Sequence, residues 1–123
     1  MNRVSDTGAM IADMSPELRP GDWAFVIDPP ADTECLATIR EAEGLSAIVP
    51  AAQAPADAPP MRQITLRVPS SLEGVGLTAA VATALADAGI ACNMVAGHHH
   101  DHAFVPARHA DRAIQFLRAL ADG

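Results

Sequence analysis

The run from Pro50 to Pro60, PAAQAPADAPP, constrains this chain more than any other stretch. Proline fixes its own φ and lacks the amide hydrogen that a helix interior or a central strand needs, so no long regular element passes through it. The run reads as a linker or a long surface loop. It divides the 123-residue chain into residues 1–60, which end in the run, and residues 61–123. Halves of this size hold too few elements to bury their own apolar faces, so they must share a sheet or abut. At 50% hydrophobic and 3% aromatic, the chain has to build its core from methyl groups rather than rings.

Beyond the run, Arg62 to Val68 alternates, with Ile64, Leu66 and Val68 on one face and Gln63, Thr65 and Arg67 on the other. That is the period of a half-buried strand, and Pro69 ends it. From Gly76 to Ala88, Leu77, Ala80, Val81, Ala84, Leu85 and Ala88 recur at helical spacing, and Gly89 supplies the stop. Ala91 to Ala96 and His102 to Val105 are apolar runs around the turn material Gly97 to Asp101, which predicts a hairpin. Ala110, Ala113, Ile114, Leu117 and Leu120 then mark a second amphipathic helix. The order β-α-β-β-α is a ferredoxin-like unit without its last strand, so its edge must be completed by the first half or by a second chain. In the first half, Trp23 to Ile27 and Leu45 to Val49 read as strands and Thr33 to Ala42 as a helix, while Met10 to Met14 is apolar enough for a further short strand.

Charge excludes some partners. The formal net charge is −7, there is no lysine, and the arginines are scattered, whereas a phosphate backbone is met by clustered positive charge. Nucleic acid is therefore not an expected partner. Cys35 and Cys92 lie far apart and form no CxxC, which fits buried thiols in a reducing compartment. Met1 to Ser15 lacks the apolar block of a signal peptide, and Gly74 to Ala86, the longest uncharged helical stretch, is shorter than the roughly 20 residues that span a bilayer. These features predict a cytoplasmic protein with no membrane partner.

Glu73-Gly74-Val75-Gly76, then Leu85, Gly89-Ile90 and the strand after them, resemble the signature of the ACT domain. In that family an Asp-x-x-Gly turn opens the first helix, a leucine follows, and a Gly-Ile pair leads into the second strand. The likeness runs from Arg62 to Leu120, with Glu73 in place of the Asp and Ala91 where ligand-binding members often carry Asn. Ser70 to Glu73, Ala88 to Asn93 and His100 to Pro106 look most like small stand-alone tandem ACT proteins, which are similar to the regulatory part of aspartate kinases. Pro16 to Leu18, Pro20 to Trp23 and Glu41 to Leu45 resemble the N-terminal half of the same proteins. The resemblance implies an α+β fold of two ferredoxin-like βαββαβ units with mainly antiparallel sheets. It also implies binding of a free amino acid at an interface between units, without catalysis.

The candidate site is the bend from Pro69 to Gly76. It runs from a strand end to a helix start, where free amides and a partial positive charge suit a carboxylate. Ser70 and Ser71 supply hydroxyls, Glu73 can pair with an ammonium group, Gly74 and Gly76 let a ligand approach the backbone, and Leu72 and Val75 complete the bend. Asn93, on the following strand, offers an amide. The bland alternative is a tight turn with a helix cap. Gly74 to Ala79 also fits GxGxxA, but no strand leads directly into the first glycine and no acidic residue ends the second strand, so no nucleotide cofactor is expected. His98, His100 and His102 would share one face of an extended hairpin at chelating distance, which suits a transition metal. Such residues also serve as a pH-responsive surface or an ordinary polar turn. Ser70 and Ser71 have no base nominated by the sequence, and Cys92 in an apolar strand would resist ionisation, so no enzyme activity is expected. The expectation is a non-enzymatic sensing module that binds a small amino acid. The alternatives are a ligand-free homodimeric interaction domain or a metal binder using His98 to His102.

Overall fold

A computed structural model describes residues 7–68 and 75–123. A short helix α1 (Thr7–Ala12) precedes strands β1 (Pro16–Ile27), β2 (Ala37–Glu41) and β3 (Gly44–Pro50). The second half is β4 (Met61–Leu66), α2 (Leu77–Asp87), β5 (Asn93–Ala96), β6 (Asp101–Pro106) and α3 (Ala110–Asp122). The strands form one sheet in the order β2-β3-β1-β4-β6-β5, with every neighbouring pair antiparallel. The architecture is the expected α+β fold of two ACT-like units, here fused through a common sheet.

The fusion is made by β1. Its first part pairs with β4, Pro16 opposite Leu66 and Leu18 opposite Ile64, and so supplies the strand that the second half lacks. Its last part, Trp23 to Ile27, pairs with Pro50 to Ser46 of β3. The register shifts between Leu18 and Asp22, where Gly21 takes φ 92°, a conformation that costs glycine little. This bulge lets one strand serve both halves.

The three helices pack on one face of the sheet. Ile64 and Leu66 of β4 and Ala103 and Val105 of β6 meet Val81 and Leu85 of α2, Ile114 and Leu117 of α3, and Met10 and Met14. Helix α2 ends in a Schellman motif: Ile90 N–H donates to Leu85 O at 2.9 Å and Gly89 N–H to Ala86 O at 2.9 Å, with Gly89 at φ 74°. Buried Ile90 then packs in the same core as Leu85. No helix among the described residues is long and apolar enough to cross a membrane.

Two local expectations are corrected. Thr33 to Ala42 is not a helix: Leu36 N–H donates to Ile48 O at 2.7 Å, and Ala37 to Glu41 pairs with Ile48 to Gly44 as an edge strand. A partner strand one hairpin away outweighs the helical preference of Leu36, Arg40 and Glu41, since tertiary pairing overrides propensity. Met10 to Met14 is not a strand either. Met10 lies in α1 and Met14 follows it four residues later, and both are fully buried against the helix layer. The Pro50–Pro60 run leaves β3 through a single 3-10 turn, Ala51–Gln53, and loops back to β4 of the same sheet.

Candidate functional site

Of the expected ligand residues, Ser70, Ser71, Leu72, Glu73 and Gly74 lie outside the described residues, and Val75, Gly76 and Asn93 lie within them. Gly76 caps α2 in the left-handed region at φ 106°, a conformation that a side chain rarely tolerates. It also sits tightly against α1, because a Cβ there would lie 2.6 Å from Thr7 Cγ2. The Thr7 hydroxyl donates to the Val75 carbonyl oxygen. The end of the bend is thus held by the N-terminal helix, while the Val75 side chain itself remains 75% exposed.

Asn93 is placed elsewhere. It opens β5 opposite Phe104, whereas the end of β4, Leu66, is level with Asp101 and Ala96. Asn93 therefore lies three residues, about 10 Å, back from the strand end that feeds the bend. Its side chain leaves the sheet on the face of Phe104, away from the helix layer that holds Gly76. The described geometry does not bring Asn93 and Gly76 together. The strand also starts at Asn93 rather than Ala91, so Cys92 lies just outside it. Both cysteines are free and half-buried, and burial raises the Cys92 thiol above its ordinary pKa.

The histidines do not share a strand face. β6 begins at Asp101, so His98 to His100 belong to the turn, with the His98 and His99 rings edge to face at 4.9 Å. Among the described residues no group of three or more His, Cys, Asp or Glu side chains could hold a metal ion. His102 has a different setting. It points to the helix-free face of the sheet, where Gln63 Nε2 is 3.1 Å and Thr65 Oγ1 3.0 Å from its Nδ1. Both contacts engage Nδ1, with donor and acceptor set by the tautomer of the ring. Burial lowers the His102 pKa below its ordinary value, with repulsion from His100 adding and Asp101 opposing, in keeping with a neutral ring.

That helix-free face carries a feature the sequence reading missed. A trough of about 1330 Å³ runs over it, floored by Phe25, Ile48, Gln63, His102 and Phe104 and walled by the loops that carry Pro29, Pro30 and Pro55. The Phe25 and Phe104 rings meet edge to face with centroids 5.4 Å apart and planes at 87°. Phe25 is nevertheless 43% exposed, Leu36 42% and Ile39 63%. Asp28 is at the wall for a structural reason, since its carboxylate accepts from Leu45 N–H at 2.8 Å. The alternation of Phe25 with Ile27 and of Gln63 with Thr65 was a visible signal. What it lacked was any statement that the helices would leave this face open.

The ACT domain family matches residues 60–119, and a second ACT domain family matches residues 4–63. Among solved structures, a Vibrio cholerae protein of unknown function, described as a possible transport protein, is 40% identical. That match covers 93% of this chain and 94% of the other, with a TM-score of 0.81. An Agobacterium tumefaciens protein is 14% identical, with coverage of 86% and 87% and a TM-score of 0.67. The ligand-free regulatory subunit of aspartate kinase from Thermus thermophilus is 10% identical, with coverage of 86% and 97% and a TM-score of 0.62. The last two likenesses show the fold alone. No curated protein matches the chain.

Proposed function

The chain belongs to the ACT-domain family, with two units in tandem, and on that premise we propose that it is a non-catalytic regulatory module that binds a small free amino acid where its units meet. ACT domains are typically regulatory ligand-binding modules, which is the coarse part of this reading. The finer part, the amino acid and its place, is supported by one contact. Gly76, inside the match over residues 60–119, rests against Thr7, inside the match over residues 4–63. The bend is therefore next to the junction of the two units, whose boundary we take to be the Pro50–Pro60 run.

In this reading the backbone amides of Gly74 to Gly76 and the hydroxyls of Ser70 and Ser71 receive the carboxylate. Glu73 takes the ammonium group, and Leu72 and Val75 border the side chain. Binding changes the module only if the ligand prefers one arrangement of the two units, so occupancy is coupled to how α1 is held against the bend. Thermal melting with each common amino acid at millimolar concentration tests this. A ligand at a hundred times its Kd adds about 2.7 kcal/mol, which raises Tm by roughly 10 °C for a chain of this size. No shift with any amino acid rejects the reading.

One observation favours a second reading, a ligand-free homodimer. β2 and β5 are the outer strands of the sheet, and Ile39 on β2 is 63% exposed, so an open edge is available to another copy. Light scattering separates the two: this reading requires a dimer and no response to amino acids.

A further inference from the structure

We propose that the trough on the helix-free face is a second binding site, separate from the bend, for an uncharged aromatic small molecule. It is a half-open trough between two loops rather than a closed cavity. Pro29 and Pro30 on one wall and Pro55 on the other have fixed φ, which restricts the conformations open to the walls. Among the described residues, four of the six large apolar side chains left exposed, Phe25, Ile27, Leu36 and Ile39, line this one space. Such concentration marks a binding surface, whereas scattered exposure does not.

The occupant follows from chemistry and charge. The edge-to-face pair Phe25 and Phe104 offers ring surface to a planar partner. His102 Nδ1 is engaged by Gln63 and Thr65, which fixes the imidazole as a flat part of the trough floor. The other edge of that ring lies beside Gly97, where a Cβ would sit 2.9 Å from the His100 carbonyl oxygen and 3.3 Å from Nε2. The lining includes no arginine or lysine, and its formal charges are the carboxylates of Asp28 and Asp57. An anion would enter without a counter-charge, in a chain of net charge −7, and bear the cost of desolvation. This selectivity is the opposite of that at the bend, which is suited to a carboxylate. A second copy of the chain is the competing occupant, and Leu36→Arg separates the two.

The test uses the full chain and two fluorescent probes, uncharged Nile red and anionic anilinonaphthalene sulfonate. Nile red is expected to bind saturably at one site, at least about tenfold tighter than the anion, and to be displaced by indole but not by indole-3-acetate. Leu36→Arg, at an exposed position, should keep the circular dichroism and melting of the parent and weaken Nile red about tenfold or more. Equal dye affinity in the parent and Leu36→Arg, tighter binding of the anion, or a dimer that Leu36→Arg dissociates would each overturn the proposal, the last by assigning the face to a second copy. Melting shifts with amino acids report on the bend and are expected to be unchanged in Leu36→Arg, so the two readings fail separately.

Discussion

The two faces of the sheet are built by neighbouring residues of the same strands and have opposite fates. On β4 and β6, Ile64, Leu66, Ala103 and Val105 are fully buried under the helices. One step along, Gln63, His102 and Phe104 turn to the other side and floor an open trough. Period-two alternation decides which residues share a face, but the available helices decide which face is sealed. Among the described residues only α2 and α3, both from the second half, are long, and α1 adds six helical residues from the first. Three helices on one side of six strands leave the far side to loops. The covered face holds the fold together, and the uncovered face is free to be specific.

The largest effect that separates the faces is expected from Leu117→Ala in the sealed core, where the side chain is fully buried. It should cost about 2–5 kcal/mol, read as a fall in the urea midpoint with the slope retained. Phe25→Ala on the open face should cost far less, roughly 1 kcal/mol, because the ring is already partly in water. A loss at Phe25 as large as that at Leu117 would mean that the trough is closed in solution.

Between these lies Gly76→Val. A side chain there meets both the strain of positive φ and the Thr7 methyl, with an expected loss of about 1–3 kcal/mol and detachment of α1 visible by hydrogen exchange. Unchanged protection of α1 would show that the bend and the N-terminal helix are not coupled.

The smallest effect is on pH. His102 is held below its ordinary pKa in the folded chain, so the unfolded chain binds the proton more readily. The contribution of the neutral ring is complete above the unfolded value of about 6.5 and is lost as pH falls towards the folded value. Stability measured downward from pH 7 should therefore decline more steeply in the parent than in His102→Gln. Parallel pH profiles would remove His102 from the account.

The sequence made the second half legible because each signal there was local and agreed with its neighbours. Leu77, Val81 and Leu85 mark the buried stripe of α2, and Gly89 followed by Ile90 forms its Schellman stop. The first half was less legible because its structure is set by distant pairing. Ala37 to Glu41 has helical composition and is a strand because β3 lies beside it. Met10 and Met14 look like part of an apolar strand, but Met10 lies in α1 and Met14 in the connection to β1, and both are buried against the helix layer. Asn93 is nominated by its place two residues beyond Ala91, on the same strand face, and the register of β5 on β6 sets it back along the sheet from the strand end that feeds the bend. The trough was invisible for the same reason: Phe25, Leu36 and His102 meet only once three separate pairings have formed.

The most direct test of the central claim is a map of amide chemical shifts during titration with the amino acids one at a time. The account predicts that one of them saturably moves the amides of Val75, Gly76 and Leu77 together with Thr7, and leaves Phe104 and Val95 still. It is contradicted if none of them moves the amides around Gly76, or if the shifts fall on the trough and spare the bend.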